Sequence, residues 1–356
     1  MLTRQFWKGR RVFLTGHTGF KGSWLSIWLH ELGASLSAYA LAPPTSPALY
    51  EIARVGECLT STIGDICDAP LLTAAMQAAD PEILFHLAAQ PLVGEGYRDP
   101  VGTYATNVMG TVNVLEAARS LPNLRAVVVI STDKCYANHE TGQAFRESDP
   151  LGGHDPYSSS KACTELVSHA YRKSFFSARG IHLATARAGN VIGGGDWAAN
   201  RLLPDLLRAF ANGETARLRQ PQAIRPWQHV LNPLAGYLML AEQLYAGMPV
   251  GRAWNFGPDA SDCITTGDLA SLLAEHWGGQ AHWSADPAAD FPHEATLLNL
   301  DTADAKNILN WRPNWPLTVA IEQTAAWQRA WLSGEDMQAV CRAQIANYSK
   351  KYHDIR

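Results

Sequence analysis

Gly16, Gly19 and Gly22 stand between a short apolar run, Arg11 to Thr15, and a stretch from Ser23 to Leu32 whose Trp24, Leu25, Trp28, Leu29 and Leu32 fall at helical spacing. A strand, a tight turn and a helix in that order restrict the fold more than anything else in the chain. The backbone N–H groups of such a turn, and the positive end of the helix after it, face a pyrophosphate. A glycine triplet alone fits many turns. With a strand before it and a helix after it, Gly16, His17, Thr18, Gly19, Phe20, Lys21 and Gly22 read as the phosphate loop of a dinucleotide cofactor.

Buried-strand runs recur at Leu36 to Leu41, Glu82 to Leu87, Ala126 to Ile130 and His182 to Arg187, separated by helix-like stretches such as Leu71 to Ala79 and Thr103 to Leu121. This alternation predicts an α/β fold with a doubly wound parallel sheet of Rossmann type. After about Asn190 the texture shifts to three successive glycines, many prolines and shorter elements. That change predicts a cofactor domain over 1–189 with segments returning from about 224–256, and a smaller α/β substrate domain over 190–356. Leu317 to Trp331 and Glu335 to Tyr348 read as two closing helices.

Composition removes several classes of function. A net charge of -4 supplies no basic face for nucleic acid, and no apolar run reaches the roughly 20 residues that span a bilayer. The first residues lack the apolar core of a secretory signal, and the six cysteines are scattered, so a cytoplasmic protein with reduced thiols is expected. Twelve histidines include no His-x-His or His-Glu-x-x-His spacing, and no metal is expected. Trp24 and Trp28 read as core, whereas Trp227, between Pro226 and Gln228, is a candidate for the substrate path.

Tyr157 and Lys161, four apart, share one face of a helix, and a lysine ammonium beside an oxidised nicotinamide favours the phenolate of a general base. Thr132, Asp133 and Lys134 end an apolar strand, where parallel sheets bind ligands. Thr132 suits a sugar hydroxyl, Asp133 an acid for a leaving hydroxyl, and Lys134 an acid, base or anion holder; a solvated turn with an ion pair is the alternative. No acid closes the second strand, at Tyr39 to Pro44, to hold a ribose. Asp65, followed by Ile66, is the natural partner for the adenine edge, with loop capping as its other reading. The absence of arginine at 42–44 favours NAD over NADP.

Five segments then carry a resemblance: residues 16–24 (GHTGFKGSW), 86–93 (HLAAQPLV), 132–136 (TDKCY), 190–197 (NVIGGGDW) and 224–230 (IRPWQHV). Together they resemble the CDP-glucose 4,6-dehydratases, a branch of the extended short-chain dehydrogenase/reductase family, over nearly the whole chain. The glycine loop and Tyr-x-x-x-Lys are shared across that family, while the Asp-Lys pair and the Arg-Pro-Trp-Gln-His segment are more selective. The resemblance implies NAD in the first domain, CDP-glucose in the second, and a homodimer or homotetramer built on a bundle of the helices at 101–121 and 157–176. It implies that Leu87, Ala88, Ala89 and Gln90 line the cofactor and that Asn107 bends its helix near Lys161. Thr132 and Tyr157 would meet the C4 hydroxyl, Asp133 the C6 hydroxyl, and Lys161 the nicotinamide ribose. Gln90, Asn190, Arg201, Arg208, Arg225, His229 and Asn255 would line the sugar, diphosphate and nucleoside. Ala42 and Gly94 depart from the pattern, which has aspartate and arginine there. The expected reaction oxidises C4, eliminates water across C5 and C6, and returns hydride to C6. A 4-epimerase would need no acid at C6, and an idle NAD-sensing regulator would lack Tyr157 or Lys161.

Overall fold

The computed structural model describes residues 3–140, 142–286 and 298–353. Its main sheet has seven parallel strands: β1 (Arg11–Thr15), β2 (Ser35–Ala40), β3 (Thr60–Ile63), β4 (Ile83–His86), β5 (Ala126–Ile130), β6 (His182–Ala188) and β7 (Ala253–Phe256). Their spatial order is β7-β6-β5-β4-β1-β2-β3. Winding reverses between β1 and β4, where Thr15 lies beside His86, and such a switch point opens a crevice at the carboxyl ends. Every residue of β4 and β5 is buried, as expected of strands covered on both faces. The outer β3, Thr-Ser-Thr-Ile, is partly exposed and carries no apolar run.

Helix α1 (Phe20–Glu31) begins three residues before the apolar spacing announces it, because the last glycine of the loop already lies in the first turn. Gly22 to Leu29 are all buried, since α1 is covered on one side by the sheet and on the other by α9 (Met337–His353), where the rings of Trp28 and Tyr348 meet at 5.6 Å. Trp24 and Trp28 are core residues. The expected helix at 103–121 is interrupted. A wide π turn over Ala105–Met109 joins Pro100–Tyr104 to α3 (Gly110–Arg119), with Asn107 buried at its centre. Helix α4 (Pro156–Tyr171) starts where Asp155 accepts from Ser158 N and Pro156 fills the first helical position.

Beyond β6 the chain makes three two-stranded pairings, 191–192 with 228–229, 224–226 with 263–265, and 216–218 with 283–285. Leu203, Leu206, Phe210, Leu269, Leu273 and Ile321 form a core of their own beneath them, and Trp227 belongs to it, its indole N–H donating to Ile264 O. Trp227 is thus packed in that core. Between these segments α6 (Leu231–Tyr245), buried almost all round, lies against β5 and β6, and β7 then pairs with β6. Among the described residues no helix is long and apolar enough to cross a membrane, and no group of three His, Cys, Asp or Glu side chains could hold a metal.

Candidate active site

The glycine loop is a cradle with no room for a side chain at Gly16 or Gly22. Gly16 has φ +83°, and a Cβ there would lie 2.7 Å from Ala88 N; a Cβ on Gly22 would lie 2.1 Å from Gly16 O. Gly19 caps α1 without a side chain, so the N–H groups of the first turn stay unspent and aimed at the crevice. Thr18 donates to Leu41 O, which ties the loop to the end of β2, and Ala42 is exposed beside it. These residues fit a pyrophosphate-bearing cofactor.

Across the crevice, the end of β5 and the first turns of α4 bring the predicted catalytic residues together. Lys161 Nζ donates to Ile130 O at 2.9 Å, which fixes α4 over the strand end. Tyr157 is buried within hydrogen-bond reach of Thr132, and Thr132 donates to Asp133 Oδ1. Burial pushes the Tyr157 phenol up to about 12; the Thr132 contact and the Arg201 charge oppose this, while Asp133 adds to it. Burial lowers Lys161 to about 8 and Lys21 to about 8, the latter also feeling Arg201 and Lys161. Asp133 lies within electrostatic range of Lys21 and Tyr157. Burial raises its carboxyl above the usual range even though Lys134, Thr132, Arg225 and Lys21 pull the other way. Its Oδ2 is buried with no hydrogen-bond partner, close to where a Cβ of Gly189 would be. Burial shifts this carboxyl toward its protonated form, and with Oδ2 making no hydrogen bond it can serve as a proton donor to a leaving group. Lys134, half-buried, lines a cavity of about 310 Å³ with Tyr136, His139, His154 and Asp155.

A model of the NAD dependent epimerase/dehydratase family matches residues 12–257. The chain belongs to this family. It is 49% identical over 354 residues to a CDP-glucose 4,6-dehydratase of Salmonella typhimurium, covering 98% of both chains, and 28% identical over 337 residues to a dTDP-glucose 4,6-dehydratase of Streptomyces antibioticus, covering 90% of this chain and 93% of that one. Among solved structures, a dTDP-glucose 4,6-dehydratase double mutant from Streptomyces venezuelae, with NAD bound, superposes with a TM-score of 0.78 at 22% identity over 92% of this chain and 99% of that one. A UDP-glucose 4-epimerase from Thermotoga maritima gives 0.78 at 20% identity, over 90% and 99%. These two share the fold.

Set in this family fold, the remaining expected residues divide. Arg201 and Arg225 lie at the crevice, Arg201 in an ion pair with Asp196 and Arg225 close to Asp133. Lys21, expected to serve the cofactor, also sits within electrostatic range of Asp133 and Lys161. Arg208 is on the surface, paired with Asp205, and Asn190 gives its carbonyl to Gln228 N. Others have their side chains engaged inside the fold. Asn255 is fully buried, its side chain accepting from Tyr136 OH and donating to Phe145 O and Asp301 O, so it holds loops together and does not reach the crevice. His229 is fully buried between the rings of Trp24 and Trp315, which burial makes the cheapest place for a neutral imidazole. The Gln90 side chain folds back onto Thr103 and Leu92 N, and the Asn107 amide is spent on the Gln90 backbone and Ser160. The Asp65 carboxylate caps its own turn at Cys67 N, Ile66 packs into the core against α3, and the His17 ring lies behind the loop on Ser61. Leu87 and Ala88 flank the loop through the β1–β4 crossing, their N–H groups donating to Thr15 Oγ1, and the half-buried Ala89 follows them. Gly189, Glu165 and Arg187 were missed, for each is specified by what packs on it in space and not by a local pattern.

Proposed function

We propose that the chain is a CDP-glucose 4,6-dehydratase that uses NAD to convert CDP-glucose into the 4-keto-6-deoxy sugar nucleotide and water. The observation that carries this reading is Asp133: a buried, raised carboxyl with a free oxygen, beside Tyr157, where a 4-epimerase needs no acid. The 49% identity to the Salmonella typhimurium enzyme over almost the whole chain supports cytidine as the base.

Gly16, Gly19 and Gly22 would hold NAD by its pyrophosphate, and bound there it would supply the two-electron chemistry that links sugar C4 and C6. Tyr157, helped by the Lys161 charge, takes the C4 hydroxyl proton while Thr132 orients that hydroxyl. The ketone so formed acidifies the C5 proton, which Lys134 removes. Asp133 protonates the C6 hydroxyl, and water leaves. Lys134 then returns its proton to C5 as C6 is reduced, and the proton that Tyr157 took from the C4 hydroxyl leaves through solvent-linked groups while Asp133 regains the one it gave up, which resets both for the next cycle. Arg201 and Arg225 supply charge for the diphosphate.

The exposed apolar side chains of Val101 (79%), Met109 (54%) and Leu166 (59%), with Tyr104 and Phe175, lie on the helices at 101–121 and 157–176. They support a homodimer packed through that face.

CDP-glucose carrying deuterium at C4 tests the function. The product is expected to carry the label at C6, with no free reduced cofactor accumulating. Label retained at C4 with inverted configuration would make the chain an epimerase, and label lost to solvent would refute the internal return. Running dTDP-glucose and GDP-glucose in parallel tests the base.

A further inference from the structure

Tyr157, Lys161 and Glu165 form a stripe along α4, one helical turn apart, and the two lower residues are pinned to adjacent strands. Lys161 reaches Ile130 O at the end of β5. Glu165 reaches β6, where its Oε2 accepts from Thr185 Oγ1 at 2.7 Å and from Arg187 at 2.8 Å. The Glu165 and Arg187 side chains are each 3% exposed, while Glu165 Oε1 is buried with no hydrogen-bond partner. Arg187 continues the chain of contacts by donating to Tyr136 OH, two residues beyond Lys134. A buried ion pair of this kind adds little stability over an apolar pair of the same volume, so its presence behind a catalytic lysine calls for another explanation.

We propose that Glu165, held by Arg187 and Thr185, is a positioning residue that keeps the ammonium of Lys161 charged and seated on the Ile130 carbonyl. It acts through Lys161 and touches neither substrate nor cofactor. The groups facing Lys161 make the role necessary. Lys21, from the start of α1, is a second cation; His86, at the end of β4, is held neutral by burial; and Cys135, after β5, is kept a thiol by burial. Burial alone drives Lys161 toward the free amine, and the Glu165 carboxylate is the first opposing charge. A neutral Lys161 would no longer favour the Tyr157 phenolate, so catalysis should fall as pH rises through about 8. Removing the Glu165 charge lowers that point further.

Two variants test this in the whole enzyme. Glu165→Gln removes the charge, and the double variant Glu165→Leu/Arg187→Met replaces the ion pair with an apolar one so that folding is preserved should the single variant unfold. The basic limb of kcat is expected to move down by about 1 to 2 pH units in both, with KM for CDP-glucose near that of the parent at pH 6.5. Independently of turnover, the titration of Lys161 is followed by NMR in protein labelled with ¹³C at lysine Cε, its resonance identified by its loss in Lys161→Met, and should shift by the same amount. If the basic limb and the Lys161 titration stay where they are in the parent while only the unfolding midpoint falls, Glu165 is a structural ion-pair partner and the proposal is overturned.

Discussion

Replacing Gly22 by alanine sets two effects of opposite sign against each other. Alanine in a helical position is favoured over glycine by about 1 kcal/mol, so Gly22→Ala would stabilise an unobstructed α1. The added Cβ, however, would stand 2.1 Å from Gly16 O and 2.8 Å from His17 Cα, both backbone atoms of the cofactor loop. Relief requires the loop and helix to part by about 1 Å, a kind of overpacking that costs roughly 1–3 kcal/mol or more. The clash, against two backbone atoms that cannot swing aside, should win, and urea unfolding should show a net loss of up to about 2 kcal/mol. NAD affinity should suffer more, because the same displacement misaligns N–H groups whose bonds to a charged oxygen are worth about 1.5–3 kcal/mol each. Losing one or two of them weakens binding at least about tenfold. Calorimetric titration of NAD together with urea denaturation decides the matter. A variant that is more stable than the parent and binds NAD equally well would show that Gly22 does not set the loop, and the cradle described above would be wrong.

Lys134→Met should still oxidise C4, seen as absorbance of reduced cofactor in a single turnover, but should lose C5 exchange with deuterated water and form almost no product; normal turnover would leave Lys134 without a role as base. His86 and His229, fully buried, are held near 3 by burial, against 6.5 when unfolded. Their folded pKa is depressed, so the unfolded chain binds the extra protons and stability should fall as pH drops from 6.5 toward 3, by up to about 1.4 kcal/mol per pH unit per histidine. His229→Phe, whose ring suits the slot between Trp24 and Trp315, should show a shallower fall in urea midpoint from pH 6.5 to 5, and an unchanged slope would sink the assignment.

The parts of the site legible in the sequence are those in which a local pattern and its element coincide. The glycine loop announces itself through the strand before it and the helix after it, and Tyr157 with Lys161 through a four-residue spacing that only a helix makes meaningful. Thr132 to Lys134 stand out because β5 is a continuous apolar run that stops at them. The third strand escaped detection as a run because Thr60–Ile63 is short, polar and at the sheet's edge. The surroundings of Asn255 and His229 are illegible for a related reason: only the fold reveals that Tyr136, Phe145 and Asp301 contact the one and that two tryptophans flank the other. The Glu165–Arg187 pair joins residues 22 apart on α4 and β6, a coincidence no local spacing encodes.

The late arrival of β7 bears on the order in which the molecule can assemble. Its pairing, Ala253 with Thr185, closes a loop of 68 residues that contains one of the three short pairings, one strand of each of the other two, and all of α6. During synthesis, the first six strands are therefore complete well before the helix that covers β5 and β6 and the strand that ends the sheet. Until then β6 presents an unpaired edge and an uncovered apolar face, the two features that invite wrong partners. Closing such a loop costs chain entropy before any contact repays it, so the seven-stranded sheet reaches its native form only after the chain has been made as far as Phe256.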